Sequence, residues 1–299
     1  MIGLVFLLYA TFGFTFTLGK IILRYAAPIF IVASRMVIAG CALALYSHFR
    51  YRPNYRAMLK DWFLYAQYIF FGVVFFYCAR SWSLQYLSTT KTALIFTLLP
   101  FFTAFFSYLM HREKLSLQKA FGLALGFFGM MPVLVTHSTA ENDFFSLGVF
   151  SLSEMLAIAS VASISYSMLI MRKIVRHHNT PPALANGLSM LGGGVISLML
   201  SELYEPVWIK HSPQFFAAIS GIQIILSNIV CQNLQAYLLR FHSPTFMSFA
   251  SLISPLCAAF YGWLLLGEHI TWHYVLSFAL VFTGLILYYL DEIRAGEVY

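Results

Sequence analysis

The chain has 299 residues, 60% of them hydrophobic and only 10% charged, with a formal net charge of +7. Soluble domains carry roughly 25% charged residues, so this chain cannot cover itself against water. A disordered, nucleic-acid-binding or ordinary cytosolic protein is excluded, and the class left is an all-α integral membrane protein.

In chain order the apolar runs predict ten transmembrane helices: Ile2–Leu18, Ile29–His48, Asp61–Leu84, Thr89–Met110, Lys119–Val135, Leu147–Met171, Ala183–Leu203, Gln214–Leu239, Thr245–Leu266 and Thr271–Leu290. Each has the roughly 20 residues that the hydrocarbon core demands, and most are apolar all round, as lipid-embedded helices are. The alternating segments of a β-barrel are missing. Ile2–Leu18 lacks a basic leader and a small-residue cleavage site, so it is kept as the first span rather than a signal peptide.

Lys and Arg near span ends stay on the cytoplasmic side. With the N-terminus inside, that side receives twelve basic residues, Arg50, Arg52, Arg56, Lys60, Arg112, Lys114, Lys119, Arg172, Lys173, Arg176, Arg240 and Arg294. The outer side receives three, Lys20, Arg24 and Lys210. Both termini are therefore expected in the cytoplasm, in a multi-pass protein of the cytoplasmic (inner) membrane. The positive charge is this inner collar, suited to anionic membrane lipid, and needs no nucleic acid. The four cysteines lie within spans without metal-ligand spacing, so no metal or cofactor is expected. A monomer and a homodimer are both open.

The two halves resemble each other. At an offset of 155 residues, nine of thirty positions are identical between Pro100–Gly129 and Pro255–Gly284, with Glu113 matching Glu268. Composition alone gives roughly two or three, which favours a duplication. An echo at an offset of 153 pairs Lys20 with Lys173 and Pro28 with Pro181. Five spans per half is an odd number, so the second copy enters from the opposite face. The expectation is two inverted five-helix repeats, residues 1–140 and 141–299, with a site near the midplane between them.

This pattern, with a Pro in the fourth helix of each half and a Glu after it (Pro100 to Glu113, Pro255 to Glu268), resembles the drug/metabolite transporter superfamily, EamA-type branch. The resemblance covers nearly the whole chain. It implies a secondary transporter, a carrier or exchanger of a small polar metabolite working by alternating access, without enzymatic activity. The segment from Phe12 to Lys20, and on through Pro28 to Arg35, is also similar to members that carry S-adenosylmethionine in intracellular bacteria. The substrate implied is that molecule or an amino-acid-like compound. Where the family usually has Leu-Gly before the first-half Glu, this chain has His111-Arg112.

Charges within spans are costly and mark function by default. Arg80, with Tyr77 one turn before it, lies in span three, and Lys91 opens span four. Either these cations snorkel to outer headgroups, or they hold a substrate carboxylate or phosphate, for which the planar fork of Arg80 is suited. Arg35, seven residues into span two, admits the same two readings. Asn228, Gln232 and Gln235 share one face of span eight, and Gln232 and Gln235 are the offset-155 counterparts of Tyr77 and Arg80. They either bind neutral substrate atoms or bond between helices. Tyr9, Phe12, Tyr77, Trp82 and Tyr166 are candidates for stacking on a planar or cationic group. Ser160, Ser163 and Ser167 form either a cavity face or a close-packing face. The acids fall nearly all in loops or at span ends; Glu154 is the one set further into a span, near the outer end of span six, where it reads as a shallow interfacial residue. Without a buried acid, facilitated exchange competes with proton coupling.

The rivals are a lipid or lipid-linked-sugar flippase on a similar fold and a membrane-embedded enzyme. The enzyme would need paired acids, a Ser/His arrangement or a metal set within the spans, and none is visible. No phosphate loop supports nucleotide-driven pumping.

Overall fold

A computed structural model of the protein describes residues 2–52, 61–111, 117–129, 146–147, 150–268 and 272–294. Apart from a two-residue antiparallel pairing of Ser146–Leu147 with Phe150–Ser151, the regular structure of these residues is helical. The helices in chain order are α1 (Ile2–Ile22), α2 (Pro28–Tyr51), α3 (Trp62–Tyr86), α4 (Thr89–Met110), α5 (Leu117–Gly129), α6 (Leu152–Arg176), α7 (Pro182–Tyr204), α8 (Pro213–Leu238), α9 (Pro244–Leu266) and α10 (Trp272–Arg294). Among the described residues eight of them, α1 to α4 and α6 to α9, are long and apolar enough to cross a membrane. Glu113 and residues 130–135 of the expected fifth span lie outside the described residues.

The helix starts follow from local chemistry. Pro28, Pro182 and Pro213 stand in the first turn of α2, α7 and α8, where a missing N–H costs nothing and φ is already helical. Ser88 caps α4 by accepting from the Lys91 amide at 3.1 Å. Ser151 and Glu154 form a capping box on α6. Two further starts are capped from a distance. The Glu205 carboxylate accepts from the amides of Ile29 and Phe30, both at 2.8 Å. The Glu268 carboxylate accepts from those of Thr89 and Thr90 at 2.7 and 2.9 Å.

Packing relies on close backbone approach, since lipid offers helices no hydrophobic reason to associate. Where α2 crosses α7, a Cβ on Gly40 would sit 2.5 Å from the Leu191 nitrogen, and one on Gly194 2.7 Å from the Val37 nitrogen. α1 packs on α9, α5 on α10, and α6 against α3 and α4. Ser163 donates to the Phe71 carbonyl of α3 at 2.6 Å, while Ser160 and Ser167 donate to carbonyls of their own helix. Of the two readings of that serine stripe, Ser160 and Ser163 serve packing, while Ser167 also borders a small pocket with Tyr68, Met168 and Gln232. Large apolar side chains such as Phe49, Phe70, Phe121 and Leu203 face outward.

Four of the helices are irregular within the span, in two matched pairs, and α6 ends in a π-helical turn at Lys173–His177. Pro100 lacks an N–H and crowds the carbonyl four residues back. α4 accordingly tightens into a 3-10 turn at Phe96–Leu98. Pro255 has the same effect on α9, which breaks at Ser251–Leu252. α3 is π-helical over Tyr68–Phe75 and α8 over Ile224–Cys231. The breaks begin 155 residues apart and the π-helical stretches 156. Such insertions occur mostly at functional sites.

Candidate functional site

These four helices, with α1 and α6, line a partly open cavity. α1 contributes Tyr9, Phe12 and Phe16, α3 contributes Phe76, Tyr77 and Arg80, and α4 contributes Phe96 and Leu99. From the second half come Ile164 and Met168 of α6, Gln232 and Gln235 of α8, and Ser251 and Ser254 of α9. Ten of these fourteen residues form five pairs separated by 155 positions: Tyr9 with Ile164, Tyr77 with Gln232, Arg80 with Gln235, Phe96 with Ser251, and Leu99 with Ser254.

The two walls differ in chemistry. The first-half wall is aromatic and cationic. The Arg80 guanidinium lies 4.0 Å from the Phe16 ring centre and 5.6 Å from that of Phe96, a cation–π arrangement that holds the charge away from water. Phe16 and Phe96 meet edge to face at 5.0 Å, and Phe76 and Tyr77 at 4.5 Å. The second-half wall is made of amides and hydroxyls. The Gln232 side chain donates to the Tyr77 hydroxyl, joining two offset-155 counterparts across the cavity. Ser254 donates to the Tyr9 carbonyl at 2.7 Å. Arg80 Nε and the Tyr9 hydroxyl are buried without a hydrogen bond inside the protein, which leaves both as donors for a ligand.

Of the residues singled out in the sequence, the cavity brings together Tyr9, Phe12, Tyr77, Arg80, Gln232 and Gln235. Arg35 lies beyond them toward the Ile22 end of α1. Its Nη2 and Nε donate to Asn228 Oδ1 at 2.9 and 3.3 Å, and its Nη1 to Gln223 Oε1 at 2.6 Å. Asn228 thus faces Arg35 rather than the cavity. Trp82 packs beside Tyr86 at 4.8 Å. Tyr166 donates to Gln67 at 2.8 Å and meets Phe71 and Phe106. Neither lines the cavity.

Lys91 and Glu154 require a correction. They are neither snorkelling nor interfacial: their charged ends meet at 2.6 Å with both side chains fully buried. Lys91 and Glu154 each stand at the third position after a serine cap, in the first turns of α4 and α6. Sequence reading passed over Phe16 and Phe96, which cradle Arg80, and Ser251 and Ser254. The serines could have been found by applying the offset of 155 to α4.

A model described as the EamA-like transporter family matches residues 1–135 and 151–290. The chain is 34% identical over 310 residues to the S-adenosylmethionine/S-adenosylhomocysteine transporter of Chlamydia trachomatis (serovar L2), covering 99% of this chain and 91% of the other. It is 31% identical to the protein of the same name in Chlamydia muridarum, covering 99% and 94%. A crystal structure of another protein superposes with a TM-score of 0.66 at 16% identity, covering 98% of this chain and 96% of that one, which speaks for the fold alone.

Proposed function

The chain belongs to the EamA-like transporter family, and on that premise we propose that it carries S-adenosylmethionine and S-adenosylhomocysteine across the cytoplasmic membrane by alternating access. It is a multi-pass membrane transporter of a small metabolite and not an enzyme. The substrate is the one named for its chlamydial relatives. The observation that carries the reading is the cavity with an aromatic, cationic wall facing an amide and hydroxyl wall.

The substrate matches those walls part by part. Its carboxylate pairs with the planar fork of Arg80, which donates two parallel bonds. Adenine stacks among Tyr9, Phe12 and Phe76, whose faces also suit a sulfonium. Ribose hydroxyls and the adenine edge bond to Gln232, Gln235, Ser251 and Ser254.

In this reading all ten helices span the membrane as two inverted repeats, residues 1–140 and 141–299, with both termini cytoplasmic. The five offset-155 pairs and the matched irregularities of α3 with α8 and α4 with α9 support it. The outer face is then the one held shut by Lys91 with Glu154, by Glu268 and Glu205 on helix starts, and by Lys20 on the carbonyls of Leu84, Gln85 and Leu87 at 2.6, 3.1 and 2.7 Å. Opening it requires α4 and α9 to bend at their Pro-linked breaks. Glu154 is the one buried acid among the described residues and is bound to Lys91, which favours exchange of one substrate for the other over proton coupling.

The test is uptake of labelled S-adenosylmethionine into liposomes containing the purified protein. Internal S-adenosylhomocysteine should accelerate it. Uptake equal to that of empty liposomes, with and without the internal compound, refutes the reading.

A further inference from the structure

Beyond the central cavity, toward the Ile22 end of α1, lies a smaller, partly open chamber that shares Tyr77 and Arg80 with it and adds Arg35 and Gln223. Two guanidiniums therefore line one chamber inside the spans. Among the described residues no carboxylate bonds to either of them. The one buried acid, Glu154, is committed to Lys91 at 2.6 Å. Arg35 is 7% exposed, and its partners are the neutral oxygens of Asn228 and Gln223. Those amides orient the guanidinium without neutralising it. Arg80 is stacked on rings, and its Nε has no partner.

Two like charges in one chamber repel each other, and Arg35 has lost nearly all its water while Arg80 keeps part of its surface open; a buried charge is tolerated when a counter-charge reaches it. The fixed structure described here supplies none, so the counter-charge has to arrive. We propose that this chamber is an anion-binding site in which Arg35 and Arg80 together hold one carboxylate or small inorganic anion. The two amides fix three of Arg35's five N–H groups and leave two. Arg80 Nε supplies another donor. The Tyr77 hydroxyl accepts from Gln232, so its own proton is available to the anion. A carboxylate held here stands one residue layer from the central cavity and passes into it along Arg80, which belongs to both. Only the identity of that carboxylate rests on the substrate reading above. The shared chemistry is a monoanion, from the substrate or from the medium.

The test uses the whole purified protein in detergent, melted by tryptophan fluorescence in HEPES buffer at constant ionic strength while acetate or chloride replaces the bulky buffer anion. A saturable rise of about 3 °C is expected at ten times the dissociation constant. Arg35→Gln should abolish the rise, and Arg35→Lys should keep part of it. A flat response of the unmodified protein to both anions overturns the proposal, as does an undiminished rise in Arg35→Gln. Should Arg35→Gln fail to fold, the unmodified protein alone decides. Binding of labelled S-adenosylhomocysteine then identifies the source. Competition by acetate means that the substrate's carboxylate occupies the chamber, and tighter binding with chloride means a separate co-bound anion. Absence of S-adenosylhomocysteine and S-adenosylmethionine binding, with the anion-dependent rise intact, refutes the substrate reading and leaves the anion site standing.

Discussion

Replacing Glu154 by Gln tests whether the outer closure is held by charge. The substitution keeps the shape and the acceptor oxygen that takes the Ser151 amide at 2.9 Å, but it removes the carboxylate that the Lys91 amine meets at 2.6 Å. At that separation, with an effective dielectric near 20, the lost attraction is about 6 kcal/mol. Part of it only offset the desolvation of the two ions, and breaking a buried pair from one side costs about 3–5 kcal/mol net. In a chain of this size that is a fall of roughly 6–12 °C in melting temperature. Removing both charges, as Lys91→Met with Glu154→Gln, should return most of the loss, because neither ion of the pair then stays behind without the other. The assay is thermal melting of the four proteins of this cycle in detergent. An unchanged melting temperature in Glu154→Gln refutes the reasoning. So does a double variant that loses the sum of the two single losses, since coupling between touching residues is what the cycle isolates.

Arg80→Lys should lower uptake of S-adenosylmethionine at least tenfold while the protein stays folded, because an ammonium cannot donate two parallel bonds or lie flat on Phe16; uptake near the unmodified level removes the fork from the mechanism. Moving the cation across the cavity, as Arg80→Gln with Gln235→Arg, should not restore transport. The counterparts of Phe16 and Phe96 at the offset of 155 are Met171 and Ser251, which offer no rings, and full recovery in liposome uptake would remove the cradle's role. Gly40→Val should destabilise by about 1–3 kcal/mol through overpacking, since its first carbon already falls 2.5 Å from the Leu191 nitrogen; thermal melting checks this. Glu268→Ala should cost about 1–2 kcal/mol in the same assay, because it removes the acceptor for the first amides of α4.

The helices were legible because lipid makes one demand, a long apolar run, and composition answers it directly. α4 is expected from Thr89 and starts there, and α9 is expected to end at Leu266 and ends there. The polar residues of the cavity were legible where two conditions coincided, an in-span location and a counterpart in the other half, as with Tyr77, Arg80, Gln232 and Gln235. Lys91 and Glu154 met only the first. Nothing in a single sequence links positions 63 residues apart, and the link comes from the packing of α6 against α4. Trp82 and Tyr166 were aromatic in the right region, but the face of a helix that is apolar all round cannot be read from its period. Trp82 packs on Tyr86 of its own helix, and Tyr166 turns to Gln67 of α3.

The two inverted repeats proposed above would pose a problem of their own. If both walls kept the same side chains, a ligand would fit in two orientations related by the pseudo-twofold axis, and neither end of it would meet a dedicated group. In the five offset-155 pairs the backbone positions coincide while the chemistry has separated: Tyr9, Tyr77, Arg80 and Phe96 on one side, Ile164, Gln232, Gln235 and Ser251 on the other. The pairing keeps what the proposed alternating access would need, which is matching breaks in α4 and α9 and matching π-helical stretches in α3 and α8. The divergence gives what recognition needs, a single cationic, aromatic pole. Arg35 and its chamber extend that pole toward one membrane face only, because position 188, its counterpart at the offset of 153, is a leucine. The pathway is therefore electrically unequal at its two ends even where the helices match, and an anionic group is drawn first to the end that carries Arg35.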